Sequence, residues 1–275
     1  MLMRMDSYTL YRPVDIHAAV PHGMLTSRDP CRVIWALHCA VSSAEMFFEL
    51  PGLMERVDKD NVAIVAPCLG NGFYINSAYE NQADFLRDEL LPVMRWILPL
   101  SGRWEDNLLL GISMGGFGAV RWALESPLTF SAVAAVSASF DLTLPLDERA
   151  ETDREQRALA ALFTNILAPR FLLDADGRPL PGTGVPELRK ATGIKGRPPR
   201  IAVFCGERDY LSLNQSLFFA EACEKEGLEI TLRLSPGGHN RRYWAQTLPQ
   251  AAQWLLEGQR LSADAEAHNS GRGQL

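Results

Sequence analysis

At 275 residues, 47% of them apolar, the chain is long enough to bury the core of one α/β domain. Its net charge of −6, from 27 Lys and Arg against 33 Asp and Glu, shows no basic stripe and argues against nucleic acid or an anionic membrane as a partner. Five scattered cysteines (Cys31, Cys39, Cys68, Cys205, Cys223) form no C-x-x-C pair or His/Cys cluster, so no metal site is expected and a reducing cytoplasm is the expected location.

The first residues carry Arg4, Asp6, Arg12 and Asp15 with no long apolar run, so neither a signal peptide nor a membrane span is expected there. A hairpin-like pair is read before a strand at 33–37, and a second strand at 62–66 leads into a loop rich in Asn, Gly and Tyr. Helical spacing over 82–98 carries Phe85, Leu86, Leu90, Leu91 and Val93. Leu108, Leu109 and Leu110 make a short buried strand, and helical apolar spacing from Phe117 stops at Ser126-Pro127. A strand at 132–137 precedes an insert over about 141–197, in which Leu159, Leu162, Phe163, Ile166 and Leu167 share one helical side. Then come a strand at 201–205, a helix at 214–226, a strand at 229–234, a helix at 244–257 and a polar tail from 259. Alternating strands and helices mean a mostly parallel sheet flanked by helices.

Between the strand at 108–110 and its helix stands Gly111-Ile112-Ser113-Met114-Gly115. A strand–turn–helix around G-x-S-x-G is the context of a nucleophile elbow, which exposes a serine hydroxyl on a strained turn. A serine is a weak nucleophile until a base takes its proton. In such elbows the chain order is serine, acid, histidine, which leaves His239 and His268. His268 lies in the biased tail, whereas His239 follows a strand on the loop Pro236-Gly237-Gly238-His239. Asp209, at the end of the strand 201–205, is the expected acid; Asp141, after the preceding strand, is its rival, and Glu207 is a neighbour. The oxyanion donors are expected to be the backbone N–H groups of Met114 and of Ala40, with Val41 beside it, in the loop that follows residues 33–37. His38 reads as a structural histidine that pins this loop.

These segments resemble the esterase D and tributyrin-esterase-like group of α/β-hydrolases, which includes S-formylglutathione hydrolases. The resemblance runs from about residue 30 to 255. It rests on Leu37-His38, the run 62–67, Gly72-Phe73-Tyr74, Glu89-Leu90-Leu91-Pro92, and above all Gly111-Ile112-Ser113-Met114-Gly115-Gly116-Phe117-Gly118-Ala119. The segment 206–209, Pro236-Gly237-Gly238-His239 and Tyr243-Trp244 complete it. Three departures stand out: Cys39 where the family has glycine, Asn240 where an acidic residue is common, and a short segment before Gly72 that favours the smaller esterase branch.

The resemblance implies an α/β-hydrolase domain over residues 1–258, with a small cap formed by the insert. The expected activity is a cofactor-free serine esterase acting on short acyl esters. A thioesterase, an acyltransferase through the same acyl-serine, and a non-catalytic binding protein on this scaffold are the alternatives. The insert reads either as a cap over the serine or as a surface excursion at the sheet edge. Phe73, Tyr74, Phe140 and Trp244 are the candidates to line the acyl pocket, with Phe163 and Tyr210 behind them, and each could equally be core. The expected partner is a small-molecule ester, and the oligomeric state, a homo-oligomer included, stays open.

Overall fold

The computed structural model describes residues 1–27, 29–184 and 198–270. Eight strands form one sheet in the order β1-β2-β4-β3-β5-β6-β7-β8. They are β1 (Leu2–Ser7), β2 (Arg12–Ala19), β3 (Arg32–Leu37), β4 (Val62–Pro67), β5 (Asn107–Ile112), β6 (Ala132–Val136), β7 (Arg200–Gly206) and β8 (Ile230–Ser235). The first two pair antiparallel, β2 pairs antiparallel with β4, and every pairing from β4 to β8 is parallel. The hairpin-like pair and the parallel sheet are therefore both present. β5 and β6 are buried at every position, which is why they read as unbroken apolar runs.

The period-two alternation of the strands divides the core between the two faces of the sheet. Trp35, Val65, Leu109, Val133 and Val203 face Phe85, Leu90 and Met94 of the helical segment 82–97, Phe117 and Val120 of the elbow helix (Met114–Glu125), and Phe219 of the helix Leu213–Lys225. Ile34, Ile64, Leu110, Ala134 and Phe204 face the other way, onto Met46, Phe47 and Val57 and onto the C-terminal helix. That helix, Arg241–Ser270, brings Trp244, Leu248, Ala251, Ala252 and Leu255 onto the sheet at helical spacing. It runs past the expected end at 257, and residues 271–275 of the expected tail lie outside the described residues.

The insert leaves β6 and forms the helical segments Glu148–Thr152, Arg157–Leu162, Phe163–Leu167 and Ala168–Phe171. Residues 185–197 of it lie outside the described residues. Ala150 and Ala160 pack with Leu211, and Leu146, Leu159 and Tyr210 close around them, so the insert shares a small core with the loop after β7.

Candidate active site

Ser113 is held at φ 54° and ψ −117°, a left-handed backbone that a non-glycine residue adopts only when its surroundings impose it. The imposition is visible. The Ser113 N–H donates to the Val136 carbonyl at 2.8 Å, and the Ser113 carbonyl accepts from the N–H groups of Gly116 (2.9 Å) and Phe117 (3.1 Å). A side chain at Gly115 would run into the Leu37 carbonyl, and one at Gly111 would run into the Gly115 backbone. The two motif glycines thus let the elbow, β5 and β3 approach backbone to backbone. Gly118 packs against the Tyr74 ring rather than against a strand.

From this turn Ser113 Oγ lies 2.9 Å from Nε2 of His239. The other ring nitrogen, Nδ1, lies 2.9 Å and 3.1 Å from the two carboxylate oxygens of Asp209. The loop 236–239 after β8 carries the histidine, and the loop after β7 carries the acid. The Arg208 N–H donating to the Gly237 carbonyl at 2.9 Å joins the two loops. Asp209 is fully buried, which by itself would raise its pKa. The charge and hydrogen bond of His239, with hydrogen bonds from Ser137 and Ser212, outweigh that burial and hold the carboxyl below the ordinary aspartate value. Trp244 presents its ring edge-on to His239, 5.4 Å between centroids, and its indole N–H donates to Ser137 Oγ at 3.1 Å. Asp141 does not reach the histidine. Its carboxylate accepts from the Thr143 N–H at 3.0 Å and from the Thr143 hydroxyl.

The Met114 N–H opens a helix, where no intrahelical acceptor exists. The Ala40 N–H makes no hydrogen bond among the described residues, whereas its neighbour Val41 donates to Asn71 Oδ1 at 2.8 Å. Of the two loop residues, Ala40 lines the serine cavity and Val41 does not. The Cys39 side chain turns away into the core, with Sγ 3.7 Å from Met46 Sδ, and burial pushes its thiol up to about 11. His38 is buried between two backbone partners. Nδ1 lies 2.8 Å from the Cys39 carbonyl and Nε2 accepts from the Leu69 N–H at 3.2 Å. Burial holds its imidazole below the ordinary value, against the opposing pull of the Cys39 carbonyl. The histidine pins the loop to the segment after β4.

Above the serine lies an apolar cavity of about 60 Å³. Phe73, Phe117, Leu142, Leu146, Leu159 and Phe163 line it, and Asp141 and Gln215 give it a polar edge. Four of the expected pocket residues are elsewhere. Tyr74 is core: its hydroxyl donates to the His38 carbonyl at 2.9 Å and its ring packs edge-on against His38. Phe140 is fully buried and stacked on Phe219, 4.0 Å between centroids. Trp244 lies behind His239, on the side of the C-terminal helix. Tyr210 packs against the insert beneath the Arg149 guanidinium instead. Phe73 and Phe163 do face the cavity, with their rings edge-to-face at 6.0 Å. Sequence reasoning missed the leucines of the insert that line the cavity, because an apolar spacing does not say which surface it covers.

Residues 53–175 match the family model described as putative esterase. An acetyl esterase of Caldicellulosiruptor saccharolyticus is 27% identical over 213 residues, which is 74% of this chain and 75% of that protein. In structure the chain is similar to the fluorophosphonate-binding serine hydrolase FphF of Staphylococcus aureus, with a TM-score of 0.72 at 20% identity, covering 93% of this chain and 97% of that one. It is similar too to the S-formylglutathione hydrolase FrmB of the same organism, with a TM-score of 0.70 at 20% identity, covering 93% and 98%. The fold is the α/β-hydrolase fold, and the likeness to the esterase family read from the motifs holds. The matching family model and the acetyl esterase relative are both esterases.

Proposed function

We propose that the chain hydrolyses esters of short acyl groups through an acyl-serine intermediate. The observation that carries this reading is the hydrogen-bonded chain Asp209–His239–Ser113 at the mouth of a small apolar cavity. Ser113 Oγ attacks the ester carbonyl while His239 Nε2 takes its proton. Asp209 holds the imidazole with Nδ1 protonated and stabilises the imidazolium that forms. The N–H groups of Met114 and Ala40 face the developing oxyanion. His239 then returns its proton to the leaving alcohol. A water molecule, deprotonated by the same imidazole, attacks the acyl-serine and releases the acid. A small cavity of about 60 Å³, closed on one side by Phe73, Leu159 and Phe163, fits a short acyl group better than a fatty chain. The acetyl esterase relative agrees with that size. Five free cysteines, four of them buried, fit a reducing compartment, and we read the location as cytoplasmic.

Ser113→Ala tests this reading. Turnover of p-nitrophenyl acetate falls on the order of 10⁶-fold and covalent labelling by a fluorophosphonate disappears, with the circular dichroism spectrum unchanged. A variant that keeps a tenth of the activity overturns it. Added alcohol or thiol acceptors, with product analysis, separate hydrolysis from acyl transfer.

A further inference from the structure

The insert does more than roof the cavity. The stretch that brings Leu159 to the cavity also carries Gln156, which is 2% exposed. Its Nε2 donates to the Arg208 carbonyl at 2.7 Å, and its Oε1 accepts from the Tyr210 N–H at 2.9 Å. Those two backbone groups flank Asp209. One side-chain amide therefore grips the acid loop on both sides of the carboxylate, as a neighbouring strand would. The same nitrogen stands 3.6 Å from where a Cβ would be on Gly238, the residue before His239. Next to it in sequence, Glu155 accepts from Nδ2 of Asn240, the residue after His239, at 3.0 Å.

We propose that Gln156 is a positioning residue for the Asp209–His239 pair: it sets the acid loop so that the carboxylate meets Nδ1 squarely. The proposal rests on the reading of Ser113, His239 and Asp209 as the catalytic chain. The site requires a side chain that donates with one end and accepts with the other. Alanine does neither and leaves a buried carbonyl and N–H unpaired. An ionised glutamate accepts from Tyr210 but sets a negative oxygen against the Arg208 carbonyl. A protonated glutamate restores both bonds.

The experiment measures kcat and KM on p-nitrophenyl acetate and butyrate, and the rate of fluorophosphonate labelling of Ser113. Wild type, Gln156→Ala and Gln156→Glu are compared between about pH 5 and pH 8, with melting curves to establish folding. At the alkaline end both variants lose about 10- to 100-fold in kcat and in labelling rate, the scale of a catalytic group misplaced by about an ångström. KM for both esters stays within about twofold of wild type, because Gln156 does not line the cavity. The ratio of Gln156→Glu to wild-type activity rises as the pH falls, while that of Gln156→Ala stays flat. Should Gln156→Ala fail to fold, the glutamate ratio alone carries the test. Unchanged kcat and labelling, a rise in KM alone, or a glutamate ratio that falls on acidification, as a bare charge beside the imidazole gives, would each overturn the proposal. Labelling retained in Ser113→Ala would instead overturn the catalytic reading, and the proposal with it.

Discussion

His239 has two aspartates within a few elements of it, and their hydrogen bonds separate them. Asp209 spends its carboxylate on Nδ1 and is fully buried, whereas Asp141 spends its own on Thr143 two residues away. An asparagine at 209 offers the imidazole an N–H donor as readily as an acceptor and supports the wrong tautomer. Asp209→Asn is therefore expected to lower kcat roughly 10⁴-fold with little change in KM. Asp141→Asn, which keeps an oxygen for Thr143, is expected to stay within about tenfold of wild type. Steady-state kinetics of the two variants check this, and the reverse ranking would move the acid to 141. Both carboxylates were legible as strand-end residues. Asp209 was the expected one of the two; the hydrogen bond that separates them joins loops 30 residues apart in the chain.

At the scale of elements, the insert lines the cavity that the acyl group is expected to enter. Leu142 and Leu146 enter the cavity from its first turn, Leu159 and Phe163 from its helical segments, and Phe73 closes on Phe163 from the loop after β4. The insert is tied down by Gln156, by Glu155 to Asn240, and by Asp147, which accepts from Asn214 at 2.9 Å. A roof held by these bonds is expected to keep the cavity short. The expected profile of kcat/KM over p-nitrophenyl esters peaks at about two to four carbons. Each further methylene loses the ~0.8 kcal/mol that burial would otherwise give. Phe163→Ala opens the roof and is expected to move the peak to longer chains. A wild-type peak at about eight carbons or more would contradict both the cavity and the tether. The apolar spacing of residues 159–167 was plain in the sequence. That it covers the serine, and not a sheet edge, followed only from where β6 and β7 release the chain.

At the scale of the whole molecule, two buried groups link stability to pH in the same direction. His38 has a folded pKa below the ordinary histidine value of 6.5 because burial disfavours its charged form. The folded state therefore binds fewer protons there than the unfolded chain, and stability is full above 6.5 and drops as the pH falls from that value toward the folded pKa. Asp209 is likewise held below the ordinary aspartate value of 3.8, so its contribution is present above 3.8 and is lost as the pH falls through its lower folded pKa. Thermal melts are expected to show Tm falling between about pH 7 and pH 5, with the slope flattened in His38→Gln. An equal slope in the variant would show that other groups carry the loss.

What the sequence determined by itself was whatever depends on short spans of chain. The apolar runs of β5 and β6 are strands because every residue in them is buried, and burial on both faces leaves an unbroken apolar signature. Glycines at 111 and 115 stand where the elbow permits no side chain, so the turn was legible in five residues. Tertiary structure decided the geometry in which distant groups meet. Ser113 and His239 are 126 residues apart in the chain and 2.9 Å apart in space. Tyr74, Phe140 and Trp244 are as aromatic as Phe73, yet they turned inward, because a ring's composition does not say which face of its backbone will be covered. Gln156 shows the same limit: a glutamine in a charged helical stretch looks solvated, and only the folded chain sets it against the backbone on both sides of Asp209.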